Sequence, residues 1–217
     1  MLTRCDDSSL VVDWLCDQTK GKNRSVGCFY CEFSNNDFDA EAPQQQSAAT
    51  ILGSLLKEMI SGMEKIPEEI LRAFQEQKKA IGGRRPRLQE VVEMLQLFTS
   101  SQDTIMCIDA LDECTGAQRY RIFDSLDQIL VKSPRTRIFL TGRSHIRAEI
   151  EKGLVQLVVS ISVSTIKSDI IRYLRGRLNE DETPDAMDES LEADIMGKVL
   201  GNISEMCVGA MILRIPP

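Results

Sequence analysis

The sequence has little histidine, few aromatic residues and no long apolar run, and each shortage argues against a class of protein. Of its 217 residues, 5% are aromatic and one is histidine, His145. A zinc site needs four ligands, so cysteines would have to supply nearly all of them. No apolar run approaches the ~20 residues that cross a bilayer, and acids interrupt the N-terminal apolar segment, unlike a secretory signal. We therefore expect a cytoplasmic protein without membrane contact.

The chain also has no basic excess. Its formal net charge is −7, with 26 lysines and arginines against 33 acids. Proteins that bind a nucleic-acid backbone usually carry a positive stripe or patch. The basic cluster at Gly82–Arg87 is framed by glycine and proline, which is typical of a solvated loop. We expect no nucleic-acid partner.

The seven cysteines are scattered and odd in number, which favours reduced core thiols over a disulfide framework. Cys28 and Cys31 have the spacing of a zinc knuckle or a redox pair, but there is no second such pair. The surrounding segment is typical of a strand, in which residues three apart point to opposite faces. A zinc or redox protein stays open as a third interpretation, which a metal analysis would test.

Hydrophobic periodicity predicts alternating helices and strands. Strands are expected at about 26–33, 104–108, 136–142 and 154–161, and the second and third are apolar at both odd and even positions. Such strands are typical of a parallel sheet with helices on both faces. The prediction is an α/β fold: a three-layer, doubly wound parallel sheet. We expect a core domain at 1–163 and a helical extension at 164–217.

In the segment Thr104–Gly116, "TIMCIDALDECTG", three acids directly follow an apolar strand. Asp109 ends the strand, and Asp112 and Glu113, hereafter the acid pair, follow it. Neighbouring carboxylates raise each other's pKa unless a cation lies beside them, and Mg²⁺ bound with phosphates is the common case. This pattern is the Walker B arrangement of nucleotide hydrolases. The alternative is that the acid pair simply begins a helix, where acids favour the positive dipole end.

"IMCIDALDEC" followed by "SPRTRIFLTGRSHIRAEIE" resembles the NACHT-type NTPase modules of STAND signalling ATPases. In particular it is similar to the nephrocystin 3-like N-terminal domains of filamentous-fungal proteins. The resemblance implies that Asp109 contacts the nucleotide and holds Mg²⁺ through water, and that Asp112 and Glu113 are catalytic and handle the attacking water. It also implies that Arg143 binds the nucleotide as a phosphate sensor. On residue chemistry alone, Arg143 is equally compatible with a surface salt bridge.

A nucleotide-binding enzyme of this type needs the phosphate loop G-x-x-x-x-G-K-[ST], and the sequence contains no match to it. We therefore predict a P-loop NTPase fold without its first strand and Walker A loop, unable to bind Mg-ATP or Mg-GTP tightly. The resemblance places that strand between those near 137–141 and 155–161. We expect its loss to leave two unpaired edges or to close those strands together, and both chain ends to be truncated. Unpaired edges predict marginal stability.

Two functional hypotheses follow. The first is the central fragment of a NACHT-like signalling NTPase, a nucleotide-dependent oligomerisation switch that is inactive as it stands. The alternative is a non-catalytic protein–protein interaction scaffold on a degenerate NTPase fold. The three acids favour the first hypothesis and the missing phosphate loop favours the second. Under both we expect protein partners, with self-association among them.

Overall fold

The computed structural model describes most of the chain. The described residues are 6–19, 24–32, 46–63, 66, 68–81, 85–154, 158–164, 167–179, 189–206 and 208–214. Residues 82–84 of the basic cluster and residue 33 at the end of the first expected strand lie outside them.

Over the first two thirds of the chain, three of the described α-helices separate the first strand from the second, and one separates the second strand from the third. The helices are α1 (Asp6–Thr19), α2 (Ala48–Ser61), α3 (Glu68–Ile81), α4 (Leu88–Ser101), α5 (Gly116–Lys132), α6 (Arg147–Gly153), α7 (Lys167–Asn179) and α8 (Glu189–Met206). The strands are β1 (Arg24–Tyr30), β2 (Asp103–Asp109), β3 (Thr136–Leu140), β4 (Val158–Ser164) and β5 (Val208–Arg214), and short 3₁₀ turns span Leu111–Glu113 and Ser144–Ile146. Among the helices described, none combines the length and apolar character needed to cross a bilayer.

Local sequence signals account for several boundaries. Ser47 precedes α2, and its hydroxyl accepts a hydrogen bond from the Thr50 amide at 3.2 Å, which is the usual role of a serine at a helix start. Thr115 caps α5 in the same way through the amide of Gln118. α1 begins at Asp6, so Asp6 and Asp7 lie in its first turn, where acids favour the positive dipole end. The predicted strand at 154–161 lies a few residues later, at Val158–Ser164.

The sheet is mixed, so the prediction of a wholly parallel sheet is wrong. Its order is β1-β2-β3-β5-β4, in which β1, β2 and β3 are parallel and β5 is antiparallel to both β3 and β4. The expectation of unpaired or collapsed strands next to β3 is also wrong, because β5 lies between β3 and β4. The expected helical extension contains β5 as well as α7 and α8. Periodicity does not identify β5, since "VGAMILR" is a short apolar run that suits a strand or a helix end equally.

Helices pack on both faces of the parallel strands, as predicted. On β2, Met106 and Ile108 belong to the large core formed with α2, α4 and α5, whereas Ile105 and Cys107 pack with α1 on the opposite face. In the large core, α2 packs tightly against β1. A Cβ on Gly27 would lie 2.7 Å from Met59 Cγ, so the close approach of α2 requires glycine there. This scaffold holds the ends of β2 and β3 in fixed positions.

Candidate functional site

The candidate site lies at the edge where the parallel strands β2 and β3 both end. It consists of Asp109, Asp112, Glu113, Thr141 and Arg143, hereafter the rim. Backbone hydrogen bonds hold the two loops together, from the Thr141 amide to the Ile108 carbonyl at 3.0 Å and from the Leu111 amide to the Thr141 carbonyl at 2.9 Å. Ligands of open α/β sheets bind beyond this end of the strands.

Asp109 is nearly buried, with 9% of its surface exposed, and Thr141 supports its charge. The Thr141 hydroxyl donates a hydrogen bond to Asp109 Oδ1 and accepts one from the Ala110 amide at 2.9 Å. Ala110 is left-handed, with φ 53° and ψ 44°, a conformation that costs a non-glycine residue energy. That turn carries the chain directly from the strand into the 3₁₀ turn holding the acid pair.

Arg143 bridges the acid pair. Its amide donates to Asp112 Oδ1 at 3.1 Å, its Nε lies 3.2 Å from Asp112 Oδ2, and its Nη2 lies 3.0 Å from Glu113 Oε1. The two acid side chains are only 5% and 16% exposed, whereas that of Arg143 is 61% exposed. One guanidinium thus compensates two largely buried carboxylates, and its exposed position leaves room for it to change partner.

Gly142 makes this arrangement possible. A Cβ at that position would lie 2.5 Å from Ile146 Cδ1 and 3.3 Å from Asp112 Oδ1. Ile146 is fully buried, so it has little room to move away. Glycine between Thr141 and Arg143 therefore lets the β3 loop approach the acid pair.

The structure brings together all four site residues predicted from the sequence: Asp109, Asp112, Glu113 and Arg143. The sequence-based prediction misses the role of Thr141. The strand ends could have indicated this role. Ile108 pairs with Leu140, so the next residues in register are Asp109 and Thr141. A hydroxyl one step beyond an apolar strand, level with an acid on its neighbour, is a candidate hydrogen-bond partner.

Arg119 and Glu149 form a second charged group below the rim. Arg119 Nε and Nη2 bond the Glu149 carboxylate at 2.7 and 2.9 Å, and Nη1 donates to the Cys114 carbonyl at 2.5 Å. The hydrogen bond from Arg119 lowers the pKa of Glu149, and the carboxylate raises the pKa of Arg119. This pair ties α5 and α6 to the residue that follows the acid pair.

The two cysteines of "CFYC" point to opposite sides of the sheet, as predicted. Cys28 packs with Cys107 beside α1, and Cys31 belongs to the large core. Cys31 and Cys114 meet there, with their sulfurs 3.4 Å apart. The pKa of Cys114 is lowered, chiefly by its hydrogen bond with Cys31 and further by nearby Arg119, whereas the same hydrogen bond and burial raise the pKa of Cys31.

The rim suits a cation that keeps most of its own ligands. Asp109 and Thr141 offer oxygen atoms, which Mg²⁺ prefers. Among the residues that the structure describes, no three histidine, cysteine or acid side chains converge as a metal site. The donor set fits Mg²⁺ arriving with waters and phosphates, which is its usual mode of binding.

Comparison with known proteins supplies one match. A family model described as Nephrocystin 3, N-terminal, matches residues 8–143, which is more than half of the chain. The matched segment runs from α1 through β3 and includes the whole rim. No curated protein and no solved structure matches the chain.

Proposed function

We propose, from the premise that this chain belongs to the Nephrocystin 3 N-terminal family, that its rim is the acidic side of a nucleotide site in a NACHT-like signalling NTPase. The observation that carries the proposal is the meeting of Asp109, the acid pair and Arg143 at the carboxyl ends of two parallel strands. These residue types are the ones that support Mg²⁺, position a water molecule and contact phosphate. The module would act as a nucleotide-dependent oligomerisation switch.

Each rim residue has a distinct role in this proposal. Asp109, oriented by Thr141, accepts hydrogen bonds from water molecules around the cation. Mg²⁺, when bound with nucleotide, supplies the positive charge that compensates the phosphates. The acid pair positions the attacking water. Arg143 is the residue that changes partner: its guanidinium is exposed and would turn from the acid pair towards a terminal phosphate, freeing both carboxylates.

The phosphate loop is the missing part of this machinery. The sequence contains no G-x-x-x-x-G-K-[ST], so the amide cradle, the lysine and the Mg²⁺-binding hydroxyl are not supplied by that motif. We therefore propose that this chain by itself binds Mg-ATP or Mg-GTP weakly and does not hydrolyse it. The P-loop NTPase fold, the NACHT assignment and a cytoplasmic location belong to the same proposal.

Two measurements test the rim and the affinity separately. Calorimetry should give no dissociation constant for Mg-ATP in the micromolar range, and a micromolar value would contradict the weak-binding statement. At millimolar Mn-ATP, paramagnetic broadening of amide resonances should concentrate at 109–113 and 141–143. Asp109→Asn should remove this broadening, whereas Asp124→Asn should preserve it, since Asp124 is an exposed acid of α5 bonded to Gln128. Broadening centred elsewhere, or unchanged in Asp109→Asn, would exclude the rim as the nucleotide site.

A protein–protein scaffold is the second candidate, and a specific contact favours it. Arg143 already offsets one of the two charges of the acid pair, so the rim carries less repulsion than three bare carboxylates would. If the protein is a scaffold, Mn-ATP should not broaden the amide resonances of the rim. Sedimentation velocity would then show self-association that neither nucleotide nor Asp109→Asn changes. Association that responds to both would instead support the switch.

A further inference from the structure

Two buried thiols lie directly beneath the rim, at positions far apart in the chain. Cys31 follows β1 and Cys114 follows the 3₁₀ turn of the acid pair, 83 residues later. Their sulfurs are 3.4 Å apart, and the residues are 7% and 5% exposed. A hydrogen bond joins the two sulfurs. The fold thus holds these two thiols in contact although they are far apart in the sequence.

We propose that Cys31 and Cys114 form a redox-active dithiol, which a peroxide oxidises to an intramolecular disulfide. One thiol attacks the peroxide, its sulfur gains oxygen as a sulfenic acid, and the peroxide bond breaks with release of water. The second sulfur then attacks the sulfenic sulfur, and the oxygen leaves as a second water with the remaining proton. The sum is two thiols and one hydrogen peroxide giving one disulfide and two waters.

The geometry requires little movement. A disulfide has an S–S length of ~2.05 Å, so the sulfurs must approach by about 1.4 Å from their separation of 3.4 Å. The backbone at both ends is already positioned. The Cys31 amide donates to the Asp109 carbonyl at 3.0 Å, and the Cys114 carbonyl accepts from Arg119. The two sulfurs are already in contact, so no intervening residue has to be displaced.

The other described cysteines do not compete for either sulfur. Cys28 and Cys107 are level with each other on β1 and β2, and they pack in the smaller cluster on the opposite face of the sheet. Cys16 is exposed on α1. Sulfenic acid formed at Cys31 or Cys114 therefore meets its partner before any other described thiol.

Oxidation would fasten the end of β1 to the residue directly after the acid pair. The 3₁₀ turn carrying Asp112 and Glu113 would then be held at both ends, by the disulfide and by the strand β2. The thiol pair would thereby make the mobility of the acid pair depend on the redox state. The proposed disulfide does not depend on nucleotide binding at the rim, so the two proposals can be tested separately.

The test uses the full chain with Cys5, Cys16 and Cys207 changed to serine, which limits intermolecular bridges. After hydrogen peroxide treatment and quenching of free thiols, the intact mass should fall by about 2 Da, the two hydrogens lost in disulfide formation. Peptide mapping should link Cys31 to Cys114, and dithiothreitol should reverse the change. The thermal midpoint of the oxidised form should rise by about 4 °C or more.

Cys31→Ser and Cys114→Ser are the matched controls, and each should abolish the 2 Da loss and add oxygen or show no change instead. Circular dichroism establishes that each variant folds, and if one does not, the mapping of the parent chain decides alone. A parent whose thiols stay reduced while exposed thiols are oxidised would overturn the proposal. So would a link between Cys28 and Cys107 in place of Cys31–Cys114.

Discussion

Thr141→Val tests the central contact of the rim. Valine keeps the shape of threonine but has no hydroxyl, so it removes two hydrogen bonds at once. Asp109 loses the donor to its carboxylate, and the Ala110 amide loses its acceptor. Asp109 is only 9% exposed, so water compensates its lost bond poorly. The variant should therefore fold with reduced stability.

The magnitude follows from the two contacts. A hydrogen bond to a charged group contributes about 1.5–3 kcal/mol, and an amide left unpaired in a partly buried position costs about 1–3 kcal/mol. Partial rehydration and the added methyl group offset some of this. We expect the free energy of unfolding to fall by about 3 kcal/mol, which lowers the midpoint of a chain of this length by roughly 6–12 °C.

Urea denaturation followed by circular dichroism measures the change, and Thr136→Val is the matched control. Thr136 is fully buried at the start of β3, and within the described residues its hydroxyl has no hydrogen-bond partner. Removing that hydroxyl should leave stability unchanged or raise it by about 1 kcal/mol. The reasoning is refuted if Thr141→Val costs less than about 0.5 kcal/mol, or if both variants lose equal stability.

Three further perturbations probe charge and backbone strain near the rim. Arg143→Ala leaves the acid pair without its cation and should lower the unfolding free energy by about 1–2 kcal/mol, less in 1 M NaCl. Arg147→Ala is the control, because it removes only an exposed ion pair within α6 and should lower the unfolding free energy by less than ~0.5 kcal/mol. Equal losses of stability in the Arg143 and Arg147 variants would contradict the bridging role of Arg143. Ala110→Gly relieves the strain of the left-handed φ of 53° and should raise the free energy of unfolding by about 0.5–1 kcal/mol. A lower free energy of unfolding would show that packing of the Ala110 methyl group matters more than backbone strain. Glu149 has a lowered folded-state pKa, so its contribution is complete above the ordinary value of 4.5 and disappears as pH falls through the folded value. Because Glu149 is 45% exposed, Glu149→Gln should cost only ~0.5 kcal/mol at pH 7 and less as the pH falls below 4.5, and a cost that grows on acidification would contradict this sign.

The order of the elements up to β3 could be read from the sequence because each carries its own local signal. β2 and β3, for example, are apolar at successive positions because helices cover both of their faces. The edge where the site lies followed from the same pattern, since parallel strands end on one side of a sheet. Asp109, the acid pair and Arg143 were therefore expected together before any coordinates.

The pairing of β5 with β3 and β4 could not be predicted from local sequence signals. The segment of β5 is a short apolar run, and its pairing with β3 and β4 depends on residues 40 or more positions away in the chain. Periodicity carries no information on such a partner, nor on whether the strand runs parallel or antiparallel. The parallel sheet predicted there failed because a distant segment occupies the position between the two strands.

The sequence by itself determined the chemical groups of this protein and the edge of the sheet at which they gather, because hydrophobic pattern and residue type are local properties. The tertiary structure alone decided which groups contact one another. Thr141 donates a hydrogen bond to Asp109, Arg143 spans the acid pair, and Cys31 meets Cys114 across 83 residues. Contacts of a few ångströms depend on strand register and helix packing, and these are set only when the whole core closes.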